Sequence, residues 1–182
     1  MKNFILILTA SRIIIGPFIL VFTFFEQYLI CLFIFVFAAL SDFLDGYLAR
    51  KFNAESELGA TRDPIGDKIR LIFAMFSVTL TQNDFFTIFC ISIIISREIW
   101  VSALREIQDK KASNSLTVSN LAKIKTSSQF FYIAIFYVGN AFDNQLIIFL
   151  SLFFLFIALI LTVKTGLDYT SKFFMDIKKS KL

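Results

Sequence analysis

Long apolar runs separated by short polar breaks extend over nearly the whole chain. Each run has about 20 residues, which at about 1.5 Å rise per residue matches the ~30 Å hydrocarbon core of a bilayer. The pattern predicts an all-α, polytopic membrane protein with six transmembrane helices in a single domain, 1–182. The predicted helices cover residues 4–25, 28–50, 64–81, 85–106, 120–139 and 145–166.

The distribution of Lys and Arg predicts the orientation. The breaks near residues 26, 83 and 143 contain neither residue type, whereas the 50–70 and 105–125 regions hold five each. The C-terminal tail adds further lysines. Because cytoplasmic loops are enriched in Lys and Arg, we expect both termini and both basic regions on the cytoplasmic side of the cell membrane.

Composition narrows the chemistry. The chain is 57% apolar, its mean hydropathy is +0.75, and it contains no histidine. Histidine bases, Ser-His triads and histidine metal sites are therefore excluded. The net charge of +4 suits anionic lipid headgroups and is weak evidence for nucleic acid, so no nucleic-acid partner is expected. Cys31 and Cys90 lie in apolar runs and are expected to be free, small hydrophobic residues.

Acidic and small residues form two helical stripes between residues 42 and 67. Spacing of i, i+3 and i+7 in the first stripe, and of i, i+4 and i+8 in the second, places side chains on one helix face. The stripes are Asp42, Asp45 and Ala49, then Gly59, Asp63 and Asp67. Pro64 either begins the second helix with Asp63 as its cap or kinks that helix, and the sequence leaves both open.

Four carboxylates near a membrane are costly unless they are paired. One interpretation pairs them with the nearby cations Arg50, Arg62 and Lys68. The other is a carboxylate cage for one or two hard divalent ions, Mg²⁺ or Mn²⁺, with positions left for substrate phosphates. The bare backbone at Gly46 and Gly59 fits a ligand, although small residues also serve helix packing in membranes.

The skeleton D-x2-D-G-x2-A-R-x8-G-x3-D-x3-D runs without a gap from Asp42 to Asp67. It resembles the signature of the CDP-alcohol phosphatidyltransferase family. The resemblance implies six transmembrane helices, a homodimer, and an active site on the cytoplasmic side. It also implies a reaction in which an alcohol displaces CMP from a CDP-linked lipid.

Site roles follow from this resemblance by position. The implied metal ligands are Asp42, Asp45, Asp63 and Asp67, with Asp67 also the general base. The intramembrane charge Arg12, with Thr9 before it, is a further hint of function. The residues expected to bind the CDP-lipid are Thr9, Arg12, Gly46, Ala49, Arg50, Ser56 and Gly59.

Residues 96–106 and 118–129 resemble the phosphatidylglycerophosphate-forming branch of that family, whose substrates are CDP-diacylglycerol and sn-glycerol 3-phosphate. The cations expected to bind the acceptor phosphate are Arg97, Arg105, Lys123 and Lys125. Arg97 and Arg105, eight apart, are predicted on one helix face, whereas Lys123 and Lys125 point to different faces. Three features depart from the branch pattern: Glu98 stands where Asp is common, Ala122 replaces a glycine, and Ile5-Leu6 stands in place of the Pro-Asn pair before Thr9.

Three alternatives to this function stay open. In the first alternative, the four cations lie at the membrane interface, where they set the topology and extend their charged ends into water. A cardiolipin synthase or a phosphatidylinositol-phosphate-type synthase of the same family would use a different acceptor. A cation transporter is the remote alternative, because transport sites lie near the midplane on broken helices, and the aspartates here are predicted at helix ends.

Overall fold

The computed structural model describes the backbone of residues 14–51, 64–110 and 119–179, and the side chains of residues 14–41, 68–108 and 119–177. All regular secondary structure in these ranges is helical, as predicted. The helices are α1 (Ile14–Phe24), α2 (Tyr28–Lys51), α3 (Pro64–Gln82), α4 (Phe85–Lys110), α5 (Asn120–Ala141) and α6 (Gln145–Lys179).

The helix α6 is longer than its predicted span. It was expected to end at residue 166 and continues to Lys179, giving 35 residues or about 52 Å. Residues 146–163 are uncharged, a length of about 27 Å that matches a hydrocarbon core. The first charge is Lys164, so the last part of α6 is a polar extension of an apolar helix.

Three short connections separate consecutive helices at the predicted breaks. Each contains one non-glycine residue with positive φ: Glu26 at 57°, Asn83 at 46° and Asp143 at 47°. In the first connection Gln27 N donates to Phe22 O at 2.9 Å, the bond typical of a Schellman ending. Left-handed residues therefore end α1, α3 and α5 within a few residues of the predicted ends.

Side-chain caps begin the helices that follow. Asp84 Oδ1 accepts from Thr87 N at 2.9 Å at the start of α4. Ser119 Oγ accepts from Ala122 N at 3.2 Å at the start of α5. Burial raises the pKa of Asp84, but hydrogen bonds donated by Thr87 and by the backbone outweigh it and hold the pKa below its ordinary value.

The helices indicate a membrane protein. Two stretches of the described chain, Phe85–Gln108 and Gln145–Ile177, are long and apolar enough to cross a bilayer. Large apolar side chains are open to the surroundings, with Phe85 84% and Leu146 81% exposed, as expected for lipid contact. The other predicted spans and the orientation remain predictions.

The packing forms two compact units. The first comprises Met1–Gln82 with Ile133–Ile148, and the second comprises Asn83–Tyr132 with Phe149–Leu182. Phe35 and Tyr137 pack edge to face in the first unit, with ring centroids 6.5 Å apart. In the second unit, Phe131 packs against Phe154 at 5.7 Å. Both cysteines are buried and free, as expected.

Candidate functional site

A buried carboxylate organises the charged side chains of the second unit. Glu98 on α4 forms an ion pair with Lys125 on α5, and the two side chains are 9% and 5% exposed. Its Oε1 also lies 3.4 Å from Arg97 Nη1 and accepts from Gln129 Nε2 at 3.4 Å. A buried charge requires such partners, so Glu98, Lys125, Arg97 and Gln129 form one connected group.

Arg97 also reaches α6. Its Nη2 donates to Thr165 Oγ1 at 2.8 Å, and that hydroxyl donates to Leu161 O at 2.7 Å. Gly166 lies beside the arginine stem, since a Cβ built at this position would be 2.9 Å from Arg97 Cγ. The glycine therefore lets the backbone of α6 approach the arginine closely.

The ring of Tyr169 on α6 lies beneath two guanidinium groups. The guanidinium carbons of Arg97 and Arg105 are 5.7 Å and 4.8 Å from the ring centroid. The hydroxyl of Tyr169 accepts from Ser119 N at 3.2 Å, just before α5 begins. Tyr169 is thus held at its backbone by α6 and at its hydroxyl by the start of α5.

The charged side chains of this group, counted together with Arg105 on the Tyr169 ring, have an excess of positive charge. They comprise three cations, Arg97, Arg105 and Lys125, and one carboxylate, Glu98, so the net charge is 3 − 1 = +2. Arginine presents planar N–H donors that match phosphate oxygens, and lysine adds a point charge. The arrangement is suited to a small dianion such as a phosphate monoester.

The structure brings together three of the four residues expected to bind the acceptor phosphate. Arg97 and Arg105 meet on one ring, as their spacing on one helix face predicted. Lys125 is buried, whereas Lys123 is exposed on α5, as expected for residues two apart. Lys123 therefore lies apart from Arg97, Arg105 and Lys125. The charge of Lys125 is paired with Glu98.

The expected metal and CDP-lipid residues are described in part. The helix α2 continues through residues 42–51, and α3 contains Asp67, so the first acidic stripe lies on helical backbone as assumed. The side chains of Asp42, Asp45, Gly46, Ala49, Arg50 and Asp67 lie outside the described side chains. Thr9, Arg12, Ser56, Gly59 and Asp63 lie outside the described residues altogether.

The residues that α6 contributes to the candidate site were not predicted from the sequence. Thr165, Gly166 and Tyr169 lie at or beyond the end of the predicted last span, where the uncharged run has already ended. The missed signal is helical periodicity, which continues past the apolar run. Inward-facing positions recur at spacings of three or four residues: Thr162, Thr165, Tyr169, Phe173 and Asp176.

Comparison with known proteins identifies the family. A sequence model of CDP-alcohol phosphatidyltransferases matches residues 4–164. A Rickettsia typhi protein named CDP-diacylglycerol--glycerol-3-phosphate 3-phosphatidyltransferase is 36% identical over 175 residues, covering 93% of this chain and 96% of its own length.

Two further relatives carry the same name. The one from Rickettsia bellii is 40% identical over 139 residues, covering 75% of this chain and 74% of its own length. The one from Cereibacter sphaeroides is 38% identical over 143 residues, covering 76% of this chain and 64% of its own length. With the family model matching most of its residues, the chain belongs to the CDP-alcohol phosphatidyltransferase family.

Proposed function

We propose that the protein transfers a phosphatidyl group from CDP-diacylglycerol to sn-glycerol 3-phosphate, giving phosphatidylglycerophosphate and CMP. The names of the relatives support this activity. The structural observation that carries it is the group of Arg97, Arg105, Lys125 and Glu98, in which Glu98 and Lys125 are buried and the net charge is +2.

The charge of this group favours a phosphate monoester as the acceptor. The phosphate of sn-glycerol 3-phosphate is a dianion near neutral pH, which matches two uncompensated positive charges. The acceptor of a cardiolipin synthase carries a phosphodiester with a single negative charge, so it would leave one cation uncompensated. An inositol phosphate has the same charge as sn-glycerol 3-phosphate, and therefore experiment must separate these two acceptors.

In the proposed reaction, the acceptor hydroxyl oxygen forms a bond to the phosphorus that bears the diacylglycerol. The bond from that phosphorus to the bridging oxygen breaks, and CMP leaves with the electron pair. Asp67 accepts the hydroxyl proton. The cationic group holds the acceptor by its phosphate, which leaves its hydroxyl groups free to react and reduces the entropy cost of the encounter.

The donor site is proposed at the start of α3 and the end of α2. Mg²⁺ or Mn²⁺ fits the all-oxygen donor set of Asp42, Asp45, Asp63 and Asp67. When bound, the metal supplies charge neutralisation at the pyrophosphate. Two ions, a homodimer and a cytoplasmic-facing site are part of the same proposal. The proposed CDP-lipid residues are Thr9, Arg12, Gly46, Ala49, Arg50, Ser56 and Gly59.

An acceptor panel tests the activity. Purified protein in vesicles containing CDP-diacylglycerol and Mg²⁺ is given sn-glycerol 3-phosphate, phosphatidylglycerol, inositol phosphate or buffer, and CMP release is measured. We expect release with sn-glycerol 3-phosphate alone. Release equal to the buffer blank would refute the proposed acceptor, and release with another acceptor would reassign it.

Two variants test the proposed roles. Asp67→Asn removes the base with little change in shape, so we expect no measurable turnover and an unchanged circular-dichroism spectrum. Lys123 is exposed and apart from the group of Arg97, Arg105 and Lys125, but we keep it as a proposed acceptor residue: Lys123→Ala should raise the KM for sn-glycerol 3-phosphate several-fold and leave the KM for CDP-diacylglycerol unchanged. Ordinary turnover by the first variant would remove Asp67 from the chemistry. An unchanged acceptor KM in the second would remove Lys123 from the site.

A further inference from the structure

Tyr169 joins the two arginines of the candidate site to the rest of the second unit. Only 3% of the residue is exposed, and its ring packs in a buried cluster with Val101 on α4 and Ala122 on α5. The guanidinium carbons of Arg97 and Arg105 lie 5.7 Å and 4.8 Å from the ring centroid. One aromatic ring therefore contacts both arginines and the hydrophobic packing of the unit.

Two half-buried guanidinium groups on one ring repel each other. Glu98 lies against Arg97, and an attractive contact for Arg105 comes from Tyr169. The negative face of an aromatic ring attracts a cation within about 6 Å of its centroid. Both distances fall inside this limit, so the ring offsets part of the repulsion before any anion arrives.

The position of the ring is itself fixed. Its hydroxyl accepts from Ser119 N at 3.2 Å, and Ser119 Oγ caps α5 by accepting from Ala122 N at 3.2 Å. The ring is thus tied to α6 through its backbone and to the start of α5 through its hydroxyl. A ring held in this way fixes the directions from which two flexible arginine side chains approach.

We propose that Tyr169 is a positioning residue that holds Arg97 and Arg105 ready for the phosphate group of the acceptor. The inference rests on the proposed function, because it assigns these arginines to the acceptor. Ordering two arginine side chains in advance lowers the entropy cost of binding. Loss of the ring attraction should therefore weaken acceptor binding and leave the donor and the chemical step unchanged.

The sharpest test changes the electrostatics of the ring without changing its shape. Tyr169→Phe is compared with the same variant carrying a ring-trifluorinated phenylalanine, so both lack the hydroxyl. Fluorine withdraws charge from the ring face and weakens the cation–π attraction. We expect the KM for sn-glycerol 3-phosphate to be at least about threefold higher with the fluorinated ring. The kcat and the KM for CDP-diacylglycerol should agree within experimental error.

Two further variants separate the ring from general packing. Tyr169→Leu removes the aromatic face, and we expect the acceptor KM to rise about tenfold or more. Thr170→Val is the matched control, because it removes the 3.0 Å hydrogen bond from Trp100 Nε1, which also joins α4 to α6, without touching the arginines. The KM of this control for sn-glycerol 3-phosphate should equal that of the wild type.

The outcomes are distinct. If wild-type protein releases no CMP with sn-glycerol 3-phosphate, the proposed function fails. If wild type is active and fluorination leaves the acceptor KM unchanged, the role of Tyr169 is refuted. A parallel rise in the KM for CDP-diacylglycerol would also refute it, since that result would indicate a general structural effect.

Discussion

Two described sets of buried contacts, one in each unit, differ in charge, although the first unit also buries the charged side chain of Arg70. In the first unit, Thr23 Oγ1 lies 3.4 Å from Cys31 Sγ, and Ser77 forms a hydrogen bond with Tyr137. These groups are neutral. In the second unit, the corresponding buried contacts join Glu98 to Lys125 and Arg97, and all three groups are ionised in their ordinary states.

The neutral contacts of the first unit end within the unit. Thr23 Oγ1 and Ser77 Oγ each donate to a backbone carbonyl one helical turn earlier, at Ile19 and Ala74, with distances of 2.8 Å. The charged group of the second unit instead retains two positive charges. The first arrangement contributes to stability, whereas the second, counted with Arg105 on the Tyr169 ring, leaves an excess of positive charge that suits the proposed anionic acceptor.

The largest expected effect comes from removing one member of the buried ion pair. Lys125→Met deletes the charge and retains most of the stem, which leaves the carboxylate of Glu98 with less compensation. We expect the free energy of unfolding to fall by about 3 kcal/mol, measured by denaturant unfolding in detergent micelles.

The double variant Glu98→Gln with Lys125→Met supplies the control. It removes both charges, so most of the lost stability should return. A single variant as stable as the wild type would show that the pair is not buried in the manner described, and the comparison between the two units would lose its basis.

Two glycines provide a matched test of packing against site geometry. A Cβ at Gly139 would lie 2.6 Å from Ile148 Cγ1 and 2.9 Å from the backbone nitrogen of that residue, whereas a Cβ at Gly166 would meet the side chain of Arg97. We expect Gly139→Ala to lower stability by about 2 kcal/mol without changing the acceptor KM.

Gly166→Ala should instead change the kinetics. A Cβ here would lie 2.9 Å from Arg97 Cγ, so the arginine must leave its position, and we expect the acceptor KM to rise several-fold. Unfolding curves and steady-state kinetics on the two variants provide the measurements. Equal effects of the two substitutions on KM would contradict the assignment of the second unit to the acceptor.

A smaller effect is expected from single hydroxyl groups. Tyr137→Phe removes the contact with Ser77, whose hydroxyl still donates to Ala74 O at 2.8 Å. We expect a loss of about 1 kcal/mol in unfolding free energy and unchanged kinetics. Thr165→Val removes the acceptor for Arg97 in the second unit, and a comparable loss of stability should here be accompanied by a higher acceptor KM.

The smallest expected effect concerns the cap of α4. The pKa of Asp84 is depressed in the folded protein, so its stabilising contribution is present above the unfolded pKa and is lost as pH falls through the folded pKa. Asp84→Ala should cost about 1 kcal/mol at pH 7. The difference from wild type should narrow below about pH 4, and a pH series of unfolding curves checks this.

The sequence was sufficient to predict the helix breaks. Clusters such as Glu26-Gln27 and Gln82-Asn83-Asp84 interrupt the apolar runs, and residues in these clusters adopt the left-handed conformation that ends a helix. The end of α6 was not predicted, because the apolar run ends at Val163 whereas the helix continues to Lys179. Inward-facing residues such as Tyr169 extend it, and hydropathy alone does not detect them.

The four acceptor cations were proposed from a resemblance and from their charge. The spacing of Arg97 and Arg105 then predicted one shared helix face, and the structure confirms that both contact one ring. Their shared contact, Tyr169, comes from a distant part of the chain, and no local pattern reveals such a pairing. Lys125 was one of the four cations expected to bind the acceptor phosphate, and the structure pairs it with Glu98, one of the residues that depart from the branch pattern.

The helix α6 is uninterrupted, although its first part is apolar and its last part is polar. Its uncharged portion ends at Val163, and Thr165, which receives the hydrogen bond of Arg97, follows two residues later. A rigid helix transmits any vertical displacement along its length, and hydrophobic mismatch costs a fraction of a kcal/mol per Å. We therefore expect bilayer thickness to change the depth of Arg97 relative to the aqueous phase, and with it the access of a soluble acceptor to the proposed site.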